Sequence, residues 1–206
     1  PIFKIVSEES QKLGFQTYVV GGFVRDIYLK RASKDVDFVT VGSGIALAEA
    51  VKKRLKGAHL SVFKNFGTAQ IKTNDWEFEF VGARKESYDR NSRKPKVEDG
   101  TFEDDIYRRD FTINTLAISL TVNNYGELID NFNGINDLES GIIKTPLDPK
   151  ITFSDDPLRM MRAVRFATQL NFKIEEETFQ ALKSEAHRLE IISQERITDE
   201  LNKIIR

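Results

Sequence analysis

Two aspartates one residue apart, in Lys34-Asp35-Val36-Asp37-Phe38-Val39-Thr40-Val41, constrain this chain more than any other feature. The stretch is apolar and β-branched and lies between Ser33 and Gly42, so it reads as a buried strand. Strand side chains alternate between faces, which puts Asp35 and Asp37 on one face and Val36 and Phe38 on the other. Two like charges held side by side repel, and one would stay protonated unless a divalent cation lay between them. Ten residues upstream, Val19-Val20-Gly21-Gly22-Phe23-Val24-Arg25-Asp26 reads as a strand, a glycine turn and the start of a helix. Gly21 and Gly22 let the backbone approach phosphate oxygens and present N–H donors, and Arg25 can fork onto phosphate. A phosphate-cradling turn ahead of a metal-binding carboxylate pair points to chemistry on a nucleoside triphosphate. Taken singly, the acids also fit a strand edge meeting solvent and the glycines an ordinary tight turn; that turn gives no reason for the arginine.

The chain has 206 residues, enough for one domain or one domain and part of a second. Apolar residues make up 40% and charged residues 31%, a soluble globular balance. The net charge of -1 means that any nucleic-acid surface must be local. There is no cysteine, which removes thiolate metal sites and disulfides and fits a reducing, cytoplasmic setting. With only His59 and His187, a histidine-rich zinc site is not expected, and no stretch approaches the ~20 apolar residues of a membrane span.

Along the chain, residues 2–13 have helical apolar spacing, 17–20 read as a strand and 23–29 as a short helix. The aspartate strand follows, and Ser43 caps an amphipathic helix through residue 56. Strands are expected over 60–63, 68–73 and 76–82. Residues 85–105 are polar and nearly free of aliphatics, which reads as one long loop. Arg108-Arg109-Asp110 precedes an apolar run read as helical, and Asn123-Asn124-Tyr125-Gly126 signals a hairpin. Residues 128–141 read as turns, and 156–170, 175–188 and 194–206 as helices. The pattern is α/β to about residue 149 and all-α from 150 on, and the last amphipathic helix runs to the final residue as if the architecture continued.

Three further groups carry chemistry. In Trp76-Glu77-Phe78-Glu79-Phe80 the acids share a strand face, so Glu79 extends the carboxylate cluster to three, with Glu77 as the less central alternative; a solvated face fits equally. Arg109 suits phosphates, and Asp110 suits a ribose hydroxyl, although spacing alone favours a surface charge triplet. Asp156 and Pro157 open a helix as cap and first residue. On that helix Arg159, Arg162 and Arg165 recur every three residues within one sector, which calls for an anionic or hydrogen-bonding target.

Together these residues resemble the class II nucleotidyltransferases, the family of tRNA CCA-adding enzymes and bacterial poly(A) polymerases. The resemblance rests on Gly21 to Asp26, Asp35-Val36-Asp37, Arg108 to Asn114, Asp130 to Leu138, Asp155 to Arg159 and Glu195 to Glu200, and covers about residues 15–206. Asp155 stands where the family usually has glutamate, and Asn131 where proline is common. The resemblance implies an α+β fold. A polymerase-β-like nucleotidyltransferase head with a mixed sheet would span 1–149, and an incomplete helical neck that reads the nucleobase would span 150–206. A C-terminal body and tail that grip tRNA would lie beyond the chain given.

Carried over by position, the resemblance implies that Asp35 and Asp37 hold two Mg²⁺ ions, with Glu79 beside them. Gly21, Gly22, Arg25 and Arg109 would bind the triphosphate. Asp110 and Asn114 complete the nucleotide-binding set, with Asp156 and Arg159 reading the base and Arg162 and Arg165 in support. Cytosine and adenine each present an amino donor beside a ring-nitrogen acceptor, matching Asp156 and Arg159 respectively. Uracil and guanine invert both groups, costing about 1–3 kcal/mol per unpaired group. The implied activity is addition of CCA to the 3′ end of tRNA from CTP and ATP. A poly(A) polymerase, a CC- or A-adding specialist and a non-catalytic nucleotide-binding regulatory module are the alternatives.

Overall fold

The computed structural model describes residues 1–87 and 96–205, which form two compact units interleaved in sequence. The first comprises Pro1–Lys85, Glu98–Ile106 and Leu116–Asn131. The second comprises Glu86–Val97, Tyr107–Thr115 and Phe132–Arg206.

The first unit is built on a seven-stranded mixed sheet. In chain order the strands are β1 (Gln16–Val20), β2 (Asp35–Val41), β3 (His59–Phe63), β4 (Thr68–Lys72), β5 (Glu77–Gly82), β8 (Ala117–Ser119) and β9 (Leu128–Ile129). Their spatial order is β3-β4-β5-β2-β1-β8-β9. Every pairing is antiparallel except β2 with β5, which is parallel and sets Asp35 opposite Glu77 and Asp37 opposite Glu79. Between those two strands the chain runs through helix α3 (Gly44–Arg54) and the β3–β4 hairpin, as a parallel pairing requires.

Alternation along β2 sorts its side chains: Val36, Phe38 and Thr40 are buried, while Asp35 is exposed and Asp37 half-buried. Phe38 stacks on Phe80 at 4.9 Å and meets Phe3 of α1 (Ile2–Leu13) edge-on at 6.1 Å. Leu47, Ala48 and Val51 of α3 are fully buried, as the helical spacing of that segment requires. Ser43 caps α3 by accepting the Ala46 N–H at 3.1 Å. At Gly44 a Cβ would fall 2.8 Å from the Phe80 carbonyl oxygen, so the helix start lies against the backbone of β5.

Three segments differ from the sequence reading. Residues 85–105 are not one long loop: β6 (Arg84–Ser87) and β7 (Lys96–Asp99) pair in a two-stranded sheet, and helix α4 (Phe102–Tyr107) follows. The part of the expected loop over 88–95 lies outside the described residues. Thr101 and Asp104 form a reciprocal cap: the Thr101 N–H donates to Asp104 Oδ2 at 2.9 Å and the Asp104 N–H to Thr101 Oγ1 at 3.2 Å. Phe102 then stacks on Tyr18 at 3.8 Å. The run after Asp110, read as helical, is a 3₁₀ turn over Thr112–Asn114 and then β8, because Ala117 to Ser119 pair with β1. Residues 128–141 hold β9 and a short helix, α5 (Gly134–Ser140), rather than turns alone.

In the second unit the remaining helices are α6 (Pro149–Asp155), α7 (Leu158–Leu170), α8 (Glu176–Glu185) and α9 (Gln194–Ile205). A 3₁₀ segment, Ala186–Ile191, leads from α8 toward α9. The unit is not wholly helical: β10 (Ile142–Ile143) pairs in parallel with β11 (Lys173–Ile174). Helix α6 was not expected from the sequence; Asp148 caps it, accepting the Lys150 N–H at 2.8 Å, with Pro149 in the first turn. Phe111, Ile113, Ile143, Phe153, Met160 and Ala163 make the buried centre. Among the described residues, no helix is long and apolar enough to cross a membrane.

Candidate active site

The β2–β5 pairing gathers four carboxylates on one sheet face. Residues opposite one another in a ladder share a face, so the register places Val20, Asp37, Glu79 and Gln70 in one row. Asp35, Glu77 and Lys72 form the next row. Here Glu77 and Glu79 part company. Glu77 Oε1 lies 2.6 Å from Lys72 Nζ, and Oε2 accepts from Gln70 Nε2 at 3.1 Å. Glu79 has a carboxyl raised above the usual range, first by burial and then by the Asp37 charge, with Arg84 pulling the other way. The residue as a whole nonetheless remains exposed. Repulsion between Asp37 and Glu79 is what a cation would relieve.

Among the described residues no three His, Cys, Asp or Glu side chains converge closely enough to hold a metal ion by themselves. Magnesium keeps several waters and is usually held by one or two carboxylates together with substrate phosphates. The oxygen-only donors of Asp35, Asp37 and Glu79 match a hard divalent cation.

The glycine turn begins directly after Val20, the residue paired with Asp37. Gly21 has φ 73°, ψ -133°, a conformation that L side chains rarely adopt, and its N–H donates to the Leu116 carbonyl at 3.0 Å. Helix α2 (Gly22–Tyr28) follows. Arg25, nearly buried, is held by its neighbour: Nε and Nη2 both lie 2.9 Å from Asp26 Oδ1. A Cβ on Gly22 would lie 3.6 Å from Arg25 Nη2, so the guanidinium lies over the bare backbone of the turn.

In the second unit the predicted arginines are brought together around protein partners. Arg159, largely buried, donates from Nη2 to the Arg108 carbonyl at 2.6 Å and from Nη1 to the Thr152 carbonyl at 3.4 Å. Arg162 grips Asp110 Oδ2 with Nε and Nη2, both at 2.7 Å. Asp110 Oδ1 accepts from the Phe111 N–H at 2.9 Å and Asn114 Nδ2 at 3.0 Å. Burial by itself pushes the Asp110 carboxyl up, but Arg162, Asn114 and Arg159 outweigh it and hold the group below the usual range. Four donors meet the four lone pairs of that carboxylate, so a ribose hydroxyl has to displace one of them. Arg165 Nε lies 2.9 Å from Glu200 Oε2 and its guanidinium stacks 4.5 Å from the centre of Phe166. Arg109 Nη1 reaches the Asn114 carbonyl at 3.5 Å. Asp156 divides its oxygens: Oδ1 accepts the Leu158 N–H at 3.2 Å, a helix cap, and Oδ2 faces Arg196 Nη2 at 3.5 Å.

A family model described as "Poly A polymerase head domain" matches residues 17–144. The chain belongs to this family. A second model, "Probable RNA and SrmB- binding site of polymerase A", matches residues 171–206. Over 168 residues the chain is 45% identical to an A-adding tRNA nucleotidyltransferase of Aquifex aeolicus, covering 82% of this chain and 20% of that protein. It is 40% identical over 203 residues to a CCA-adding enzyme of Lactobacillus helveticus, covering 97% and 48%. A solved CCA-adding enzyme complex with ATP superposes with a TM-score of 0.86 at 35% identity, covering 99% of this chain and 47% of that one. The Thermotoga maritima CCA-adding enzyme complexed with tRNA gives 0.83 at 34%, covering 99% and 46%. The chain thus spans between a fifth and a half of these relatives. The sequence alone did not show the Lys72 and Gln70 contacts of Glu77 or the protein partners of the arginine row. Glu200 was discernible: it lies three residues after Ile197, on the apolar stripe of α9, and is buried.

Proposed function

We propose that this chain is the catalytic head (1–149) and part of the neck (150–206) of an RNA nucleotidyltransferase. Its reaction is addition of CCA to the 3′ end of tRNA from CTP and ATP, with release of pyrophosphate, in the cytoplasm. The observation that carries this reading is the shared face of Asp35, Asp37 and Glu79 beside the Gly21–Gly22 turn. Relatives described as CCA-adding enzymes, solved with ATP, with CTP and with tRNA, support it.

Asp35 and Asp37 would hold two magnesium ions, which when bound supply Lewis acidity at the α-phosphate and lower the pKa of the RNA 3′-hydroxyl. Glu79 adds negative charge to the same face. The Gly21 and Gly22 backbone and Arg25 are assigned to the triphosphate. Asp156 accepts from the base amino group with the lone pairs that its cap leaves over, and Arg159 donates to the ring nitrogen. Arg162 fixes Asp110, and through it Asn114, so that Arg159 works from a rigid floor. Binding a ribose at Asp110 then requires exchange of one existing donor.

The test is 3′-end labelling of tRNA that lacks its terminus with each of the four triphosphates. CTP followed by ATP, stopping at CCA, is the expected result; long A tails on unrelated RNA contradict it. The 45% identity to an A-adding enzyme favours one second reading, an A-adding specialist. Incorporation of ATP only, onto tRNA already ending in CC, selects that reading.

A further inference from the structure

Asp156 sits where the chain leaves α6 and enters α7, in extended backbone with φ -137° and ψ 97°. The last carbonyls of a helix lose their intrahelical partners. In α6 arginines reach two of them, Thr152 O in addition to the Asp156 N–H that it accepts at 3.5 Å. Thr152 O accepts from Arg159 Nη1, and Ser154 O accepts from Arg188 Nη2 at 3.1 Å. Arg188 comes from the 3₁₀ segment Ala186–Ile191, 34 residues further along. Cations are favoured at a helix C-terminus, where the backbone dipole ends negative. Burial raises the Asp155 carboxyl above its usual range, with Arg159 and then the half-buried Arg188 pulling the other way.

We propose that Arg188 is a positioning residue for nucleobase selection, fixing through Ser154 O the turn that aims the Asp156 carboxylate. The proposal rests on the base-reading role given above to Asp156 and Arg159. The Asp156 carboxylate is tied on one side to α7 by the Leu158 N–H and faces Arg196 on the other. The direction of its remaining lone pairs is then set by the path of residues 154–156, and Arg188 anchors the first of these. Losing the anchor lets the end of α6 rehydrate and the carboxylate turn. The correct base, which needs an acceptor opposite its amino group, loses more from that than the wrong base, which meets no partner there in either case.

A helix-capping arginine with no part in selection would lower activity on all four triphosphates alike. The measurement is therefore kcat/KM for CTP, ATP, UTP and GTP on tRNA lacking its terminus, using the protein as its gene encodes it and its R188A and R188K variants. R188A is expected to raise KM for CTP and ATP and to reduce discrimination of CTP over UTP about tenfold. R188K, which keeps one charged donor in reach of a carbonyl, restores most of it. R188M, which keeps the apolar stem and removes only the donors, carries the same expectation should R188A fail to fold. Equal losses on all four triphosphates, or an unchanged CTP-to-UTP ratio in a folded variant, overturn the proposal. Wild-type protein that incorporates all four equally overturns the base-reading assignment beneath it instead.

Discussion

Glu79 and Asp110 are both acids in segments assigned to chemistry, and their carboxyls are displaced in opposite directions. Glu79 is raised by burial and by its neighbour Asp37; Asp110 is lowered, in spite of deeper burial, by Arg162, Asn114 and Arg159. The sheet of the first unit stacks acid beside acid and leaves part of the repulsion standing. The second unit neutralises its charges internally, each arginine of α7 meeting a carbonyl or carboxylate of the same unit. The first region therefore sets like charges side by side, whereas the second meets its charges with groups of its own. Substitutions in the first should act on turnover with little effect on folding, and those in the second should act on folding first.

The largest effect that could break this contrast is at Asp37. Asp37→Asn keeps the size of the side chain and removes the charge from the row shared with Glu79. Nucleotide incorporation is expected to fall by on the order of 10³-fold, about 4 kcal/mol of transition-state stabilisation. Circular dichroism and the melting temperature should hardly move. Incorporation within tenfold of wild type would remove the metal from Asp37.

Asp110→Ala tests the opposite side. Removing one partner of a buried ion pair costs about 3–5 kcal/mol. Arg162 keeps 33% of its side chain exposed, which argues for the lower end, about 3 kcal/mol. A depressed folded pKa means stability that is fully present above the unfolded value of about 3.9 and lost as pH falls through the folded one. The gap between wild type and variant in urea denaturation should therefore be flat from neutral pH to about pH 4 and close below it. A variant with wild-type stability and selectively lost nucleotide binding would show that Asp110 serves the ligand rather than Arg162.

What the sequence made legible was local. The alternation of Val36 and Phe38 against Asp35 and Asp37, and the Ser43 cap, need only neighbours in the chain. The choice between Glu77 and Glu79 was not legible, because both occupy the same face of one strand. What separates the two is Lys72 and Gln70, which reach Glu77 only once β4 lies beside β5. Likewise the demand of the arginine row for partners could be read from its spacing, but Asp110 stands 52 residues from Arg162. Two missed helices did leave local signals: Asp148-Pro149 repeats the cap-and-proline pair of Asp156-Pro157, and Thr101 to Asp104 is a capping box. Each is short, 6 and 7 residues, too few to show an apolar stripe.

Glu79→Gln sharpens the contrast from the acidic side. A carboxyl whose folded pKa is raised contributes stability that is present below the unfolded value, about 4.3, and lost as pH rises through the folded one. In chelator, wild type should thus lose stability relative to Glu79→Gln as pH rises from 4 toward neutrality. The effect is small because Glu79 remains exposed. Added Mg²⁺ should stabilise wild type more than the variant and narrow the gap. Parallel pH profiles in chelator would mean that Asp37 and Glu79 do not interact.

The smallest effect is expected at Glu77, on the same face and one register step away. Its pair with Lys72 is half in water, with 48% and 44% of the two side chains exposed, and such surface pairs contribute about 0–1 kcal/mol. Glu77→Gln keeps an oxygen for Gln70 and should change stability by about 0.5 kcal/mol or less. Turnover should stay within about twofold, since a carboxylate already neutralised by lysine has little to offer a cation. A large loss of turnover with stability intact would mean that magnesium draws Glu77 away from Lys72. The third acid of the cluster would then be Glu77, opposite Asp35, in place of Glu79.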